Sequence, residues 1–76
     1  MSTVQLRRVD PSRNMARFYM LTVQPSLFGE WCLVREWGRI GSPGRVVSTP
    51  FHSPALAEAA LDKWQRQKVR KGYSQP

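Results

Sequence analysis

The sequence predicts an α+β fold: a small antiparallel four-stranded meander sheet with one C-terminal helix packed on one face. Three observations predict it. Four segments between Val4 and Phe51 read as strands, with side chains alternating between two faces. Short stretches bearing Pro, Gly, Asn and Ser separate them, which suits tight antiparallel connections. After Ser53 the apolar spacing changes to that of a helix.

The first strand runs from Val4 to Val9, with Val4 and Leu6 alternating against Gln5 and Arg7. Asp10-Pro11-Ser12-Arg13-Asn14 is turn chemistry, because Pro fixes φ and Asp and Asn make local side-chain turns. Arg17 to Gln24 is the second strand. Tyr19, Leu21 and Val23 share one face, and Phe18, Met20 and Thr22 share the other. Two apolar faces place this strand centrally in the sheet. Gln24 to Gly29 breaks the alternation and makes a loop. Glu30 to Arg39 is the third strand, with Trp31, Leu33, Arg35, Trp37 and Arg39 on one face. Cys32, Val34, Glu36 and Gly38 take the other. Ile40 to Gly44 turns the chain, with Pro43 and Gly44 suited to the centre of a type II turn. Arg45 to Phe51 is the fourth strand, and Pro50 confines it to an edge or a strand end.

Ser53 is an N-cap, and Pro54 occupies the first helical position, where its missing N–H costs nothing. Ala57, Ala60, Leu61 and Trp64 form an apolar stripe that must cover one face of the sheet. Glu58 and Asp62 lie toward the positive end of the helix. Lys63, Arg66, Lys68, Arg70 and Lys71 crowd the negative end. Gly72 ends the helix in the left-handed conformation.

A chain of 76 residues is one domain at most, here spanning 1–76 with a core of about 17–73. It holds no catalytic domain beside a binding domain. Its small core must rest on large side chains, and eight aromatics can supply them. One cysteine allows no intrachain disulfide, and Cys32 beside Trp31 and Leu33 reads as a small core or near-core residue. One Cys and one His cannot build a structural metal site, so no metal or other cofactor is expected. The N-terminus lacks an apolar signal region, and no apolar run is long enough to span a membrane. A cytoplasmic monomer without membrane attachment is expected. His52 reads as a junction residue, and Glu58 and Asp62 as solvated surface, so no catalytic residues are expected.

Twelve Lys and Arg face five Asp and Glu, for a formal net charge of +7. Nine of the twelve are Arg. Such a balance points to a polyanionic partner. The segment Trp37-Gly38-Arg39 is the strongest candidate site. Arg39 is a planar, bidentate donor suited to phosphate. Trp37 offers a flat face for a base or sugar. Gly38 removes side-chain bulk between them, which would let a ligand backbone approach. Alternation points Trp37 and Arg39 the same way, with Arg35 behind them. The same spacing also fits a core Trp, an edge charge and a bulge.

Around that motif the sequence resembles the WGR domain family. The resemblance rests on Tyr19-Met20-Leu21, Gly29-Glu30-Trp31, Val34 through Gly41, Gly44, Phe51, Ala57 and the closing Lys68…Gly72-Tyr73. It runs from about Phe18 to Tyr73, and the chain looks like the small bacterial stand-alone WGR proteins. The family fold is a small antiparallel sheet with a packed helix. Its best-known members are the DNA-contacting modules of poly(ADP-ribose) polymerases. There the motif Trp packs on the sugar at a DNA end, and the motif Arg serves phosphate or interdomain contacts. The resemblance puts those roles on Trp37 and Arg39, and a core role on Trp31. Polymerase, regulatory and zinc-finger domains are absent from the chain, so ADP-ribosyl transfer is not carried over.

The expectation is a non-enzymatic nucleic-acid-binding module for duplex DNA or DNA ends, with DNA favoured over RNA. Its site residues are Trp37, Gly38 and Arg39, with Arg35, Arg45, Lys68, Arg70 and Tyr73. The alternative is an adaptor that docks an acidic protein domain. Arg7, Arg8, Arg13 and Arg17 form a second basic group, whose relation to the first depends on the fold.

Overall fold

A computed structural model describes residues 2–76. Four strands form one antiparallel sheet in sequence order: β1 (Ser2–Asp10), β2 (Met15–Pro25), β3 (Trp31–Arg39) and β4 (Arg45–Phe51). One helix, α1 (Pro54–Arg70), follows and lies against β2, β3 and β4. This is the expected meander with its C-terminal helix, and β2 is central as its two apolar faces require. The first two strands are longer at both ends than alternation alone marks out.

The connections follow local chemistry. Between β1 and β2, Asp10 accepts from the Ser12 backbone N–H at 3.2 Å and caps a single 3-10 turn at Pro11–Arg13. Asn14 then takes the left-handed conformation (φ 51°) that starts β2. Between β2 and β3, the Ser26 N–H donates to the Glu30 carbonyl at 2.7 Å, and Gly29 supplies a positive φ. The β3–β4 turn differs from expectation. The Ser42 N–H donates to the Arg39 carbonyl at 3.1 Å, which makes Ile40 and Gly41 the central pair. Gly41 has φ 91°, as the second central residue of a type II turn needs. Pro43 and Gly44 lie beyond it.

Gly44 has a different task. A Cβ there would overlap the Trp37 carbonyl oxygen and lie 2.8 Å from the Phe18 ring. One at Gly38 would sit 3.0 Å from the Gly44 Cα and 3.5 Å from Phe18. The two glycines thus let β3 and β4 close under Phe18. The sequence pattern predicts that Gly38 opens space for a ligand. On its side-chain face that space is filled by Phe18 and Gly44.

Ladder register sorts the helix-facing side into rows across the strands. The first rows are largely apolar: Trp31 with Phe51, then Val23 with Leu33 between Ser2 and Thr49, then Val4 with Leu21, which Arg35 of β3 continues. The core is Leu6, Tyr19, Leu21, Val23, Leu33, Ala57, Leu61 and Tyr73, with Trp31, Trp37 and Trp64 half-buried against it. Burying four fully enclosed aliphatic side chains, Leu6, Leu21, Leu33 and Val23, contributes about 1.5–3 kcal/mol each.

The helix begins as the sequence dictates. Ser53 Oγ accepts from the Leu56 N–H at 3.2 Å, and Pro54 stands at its start. It ends in a Schellman motif: Tyr73 N–H donates to Lys68 O at 3.1 Å and Gly72 N–H to Val69 O at 3.1 Å, with Gly72 at φ 97°. The chain then turns back, and Ser74 bridges to Arg7 through two 2.8 Å backbone bonds. That return buries Tyr73.

Two further expectations are corrected. Cys32 is half-buried on the sheet face away from the helix, between Gln24 and Pro50 in the ladders, and so lies outside the core. Glu58 is not merely solvated, because it accepts a 2.6 Å hydrogen bond from Ser2 Oγ and ties the helix to β1. Asp62 does form an exposed pair with Arg66 at 2.7 Å.

Candidate nucleic-acid interface

The apolar rows give way to an aromatic row and then to an arginine row. Leu6, Tyr19, Trp37 and Arg45 are opposite one another across β1 to β4. Arg8, Arg17 and Arg39 are opposite one another in the next row. Side chains in one row share a face, because successive residues alternate. The motif Trp and Arg therefore sit on the helix side, as alternation predicts.

Tyr19 is the centre of the aromatic cluster. Its ring stacks on Trp37 at 5.7 Å and 19°, and on Trp64 at 6.4 Å and 26°. Tyr73 meets it edge-on at 6.2 Å. The Arg35 guanidinium lies 4.2 Å from the Trp64 ring centroid and 5.4 Å from that of Trp37. It also donates to the Tyr19 hydroxyl at 3.4 Å. Arg35 thus fills the gap between sheet and helix and holds Trp37 against the core. Its planar, weakly hydrated head is suited to stacking.

Arg39 is exposed and clamps the β1–β2 turn. Its two terminal nitrogens donate to the Asn14 carbonyl at 3.2 Å and to Asn14 Oδ1 at 3.4 Å. Two of five N–H donors are used there, so three stay available. Lys68 reaches back from the last turn of α1, with Nζ 4.5 Å from the Tyr19 centroid and 5.7 Å from that of Tyr73. Burial, then the charges of Lys71, Arg35 and Arg17, hold its pKa below the ordinary 10.5. The rings favour the charged form. Desolvation and like charges outweigh them.

Arg17, Tyr19, Trp37, Gly38, Arg39, Lys68 and Tyr73 line an open cleft of about 500 Å³. No carboxylate lines it among the described residues. Asp10 pairs with Arg13, Asp62 with Arg66, and Glu58 binds Ser2. Glu36 occupies the opposite sheet face, and Glu30 lies in the β2–β3 loop. An aromatic floor ringed by unneutralised cations can hold a sugar-phosphate chain.

Trp37, Gly38, Arg39, Lys68 and Tyr73 are brought together there, and Arg35 backs them. Tyr73 is edge-packed and buried, so its ring belongs to the wall of the cleft. Arg45 is exposed on β4 opposite Trp37. Arg70 is not brought in; it lies with Lys63, Arg66 and Gln67 on the outer face of α1. Arg17, which the sequence groups with the first hairpin, lines the cleft. The signal for it was the pairing register, which sets Arg17 opposite Arg39. Arg8 joins the same row, whereas Arg7 occupies the other face and Arg13 binds Asp10.

The family model that matches is described as the WGR domain, over residues 2–76. A protein of Sinorhizobium fredii, described as the uncharacterized protein y4dW, is 44% identical over 68 residues. That match covers 90% of this chain and 33% of the relative, so the chain spans about a third of the curated relative's length. No solved structure matches the chain.

Proposed function

The chain belongs to the WGR domain family, and on that premise we propose that it is a non-enzymatic module that binds nucleic acid, with duplex DNA or DNA ends as its ligand. The observation that carries this is the cleft: Trp37 and Tyr19 in its floor, Arg17, Arg39 and Lys68 around it, and no acid beside them. Phosphates there would meet the Arg39 guanidinium, held in place by Asn14, beside the free Arg17 and Lys68, and a sugar would meet the remaining exposed part of Trp37. The structural roles of Arg35 and Asn14 support preorganisation. They fix Trp37 and Arg39 before any ligand arrives, which lowers the ordering cost of binding.

The test is a binding panel of blunt, nicked, single-stranded and circular DNA. Wild-type protein binds with micromolar or better affinity, and Arg39→Ala weakens binding more than Lys63→Ala does. Absence of binding across the panel, or equal losses for the two variants, would contradict the proposal. Capture of an acidic protein that survives nuclease treatment, without DNA binding, would favour an adaptor instead.

A further inference from the structure

Arg8, Arg17 and Arg39 stand directly opposite one another on three neighbouring strands. Like charges facing each other across a ladder destabilise a sheet. Among the described residues no carboxylate forms an ion pair with any of the three, and nearby Asp10 is taken by Arg13. Arg8 packs against the end of α1, its Nε 3.2 Å from where a Gly72 side chain would begin. The negative end of the helix dipole favours a cation at that place. Arg39 keeps three donors after binding Asn14. Arg17 lies between them, exposed, with no hydrogen-bond or ion-pair partner among the described residues. An unrelieved row of this kind is stabilised by a ligand that brings several negative charges in a line.

We propose that Arg8, Arg17 and Arg39 form a phosphate track that holds consecutive backbone phosphates of one nucleic-acid strand as it crosses β1, β2 and β3. The proposal rests on the nucleic-acid reading above and assigns a role to two arginines outside the Trp-Gly-Arg motif. Its geometry is set by strand spacing. Two ladder steps of about 4.8 Å make a row about 10 Å long. One DNA strand advances about 3.4 Å per phosphate along its axis. Along a duplex axis the row therefore spans about three nucleotides of one strand, and the long arginine side chains adjust the ladder spacing to the phosphate-to-phosphate path. A free strand presents the same phosphodiester chain without that fixed rise and can adapt its spacing to the row.

The test measures salt-dependent binding of the full chain to a labelled oligothymidylate and to a blunt duplex by fluorescence anisotropy. In Arg8→Gln/Arg17→Gln, the slope of log K on log[salt] shrinks by about 1.4 on the single strand and about 1.8 on the duplex. Arg17→Lys keeps the slope. Thermal unfolding without ligand gives an independent readout: Arg17→Gln raises the midpoint by about 1–5 °C, because it removes like-charge repulsion. An unchanged slope with wild-type binding intact would overturn the track and leave the nucleic-acid reading standing. A slope change confined to the duplex would overturn the single-strand geometry. A lowered midpoint for Arg17→Gln would mean the arginine serves the fold. Failure of wild type to bind either probe would overturn both readings.

Discussion

Lys68 shows how one side chain couples the aromatic cluster to the cation ring. Its ammonium lies over two tyrosine rings, yet burial and three neighbouring cations hold its pKa below 10.5. The sign of the consequence is the reverse of the usual one. With a folded-state pKa below the unfolded value, charged Lys68 costs stability at neutral pH. That cost is relieved as pH rises through the lowered value toward 10.5. A phosphate in the cleft acts oppositely, since it favours the charged form. On the proposed nucleic-acid function, affinity for DNA is therefore expected to fall as pH enters this window. The affinity difference between wild type and Lys68→Met narrows over the same range. A difference that stays constant with pH would remove Lys68 from the site. Trp37 and Arg39 could be placed from alternation alone, because two residues apart on a strand means one face. The setting of Arg35 could not, since Trp64 reaches it from a helix 29 positions later in the chain.

At the scale of elements, the strands and helix boundaries were legible because their signals are local. Ser53, Pro54 and Gly72 mark α1 by capping chemistry, and Pro50 marks β4 as an edge strand. The β3–β4 turn was misplaced because two Gly-bearing pairs compete within five residues. Backbone hydrogen bonding selects Ile40-Gly41, and Gly44 is needed for packing instead. The glycine pair at 38 and 44 depends on ladder register and on Phe18 lying across it, which only the assembled sheet reveals. Gly44→Ala forces its Cβ into the Trp37 carbonyl and the Phe18 ring and costs about 1–3 kcal/mol. Thermal unfolding should show a drop of at least about 4 °C. A midpoint within about 1 °C of wild type would mean the two strands can separate there without loss.

Across the whole molecule, the +7 charge divides between two places with different meanings. Lys63, Arg66 and Arg70 occupy the outside of α1, where Asp62 and the helix C-terminus account for part of their placement. Arg8, Arg17, Arg39 and Lys68 converge at the end of the sheet, where among the described residues no carboxylate forms an ion pair with them. Composition shows the total and cannot show this division, since residues 8, 17, 39 and 68 meet only through β1–β2–β3 register and the return of α1. The far end of the sheet carries a different surface, Leu27 and Phe28 at the β2–β3 tip, 98% and 88% exposed. Binding at the cation cleft implies that affinity is dominated by counterion release. The salt dependence of blunt-duplex binding tests that most directly. Three to five neutralised phosphates predict a slope of log K on log[salt] of about −2.7 to −4.5. A slope near zero, or no binding at low salt, would contradict the account.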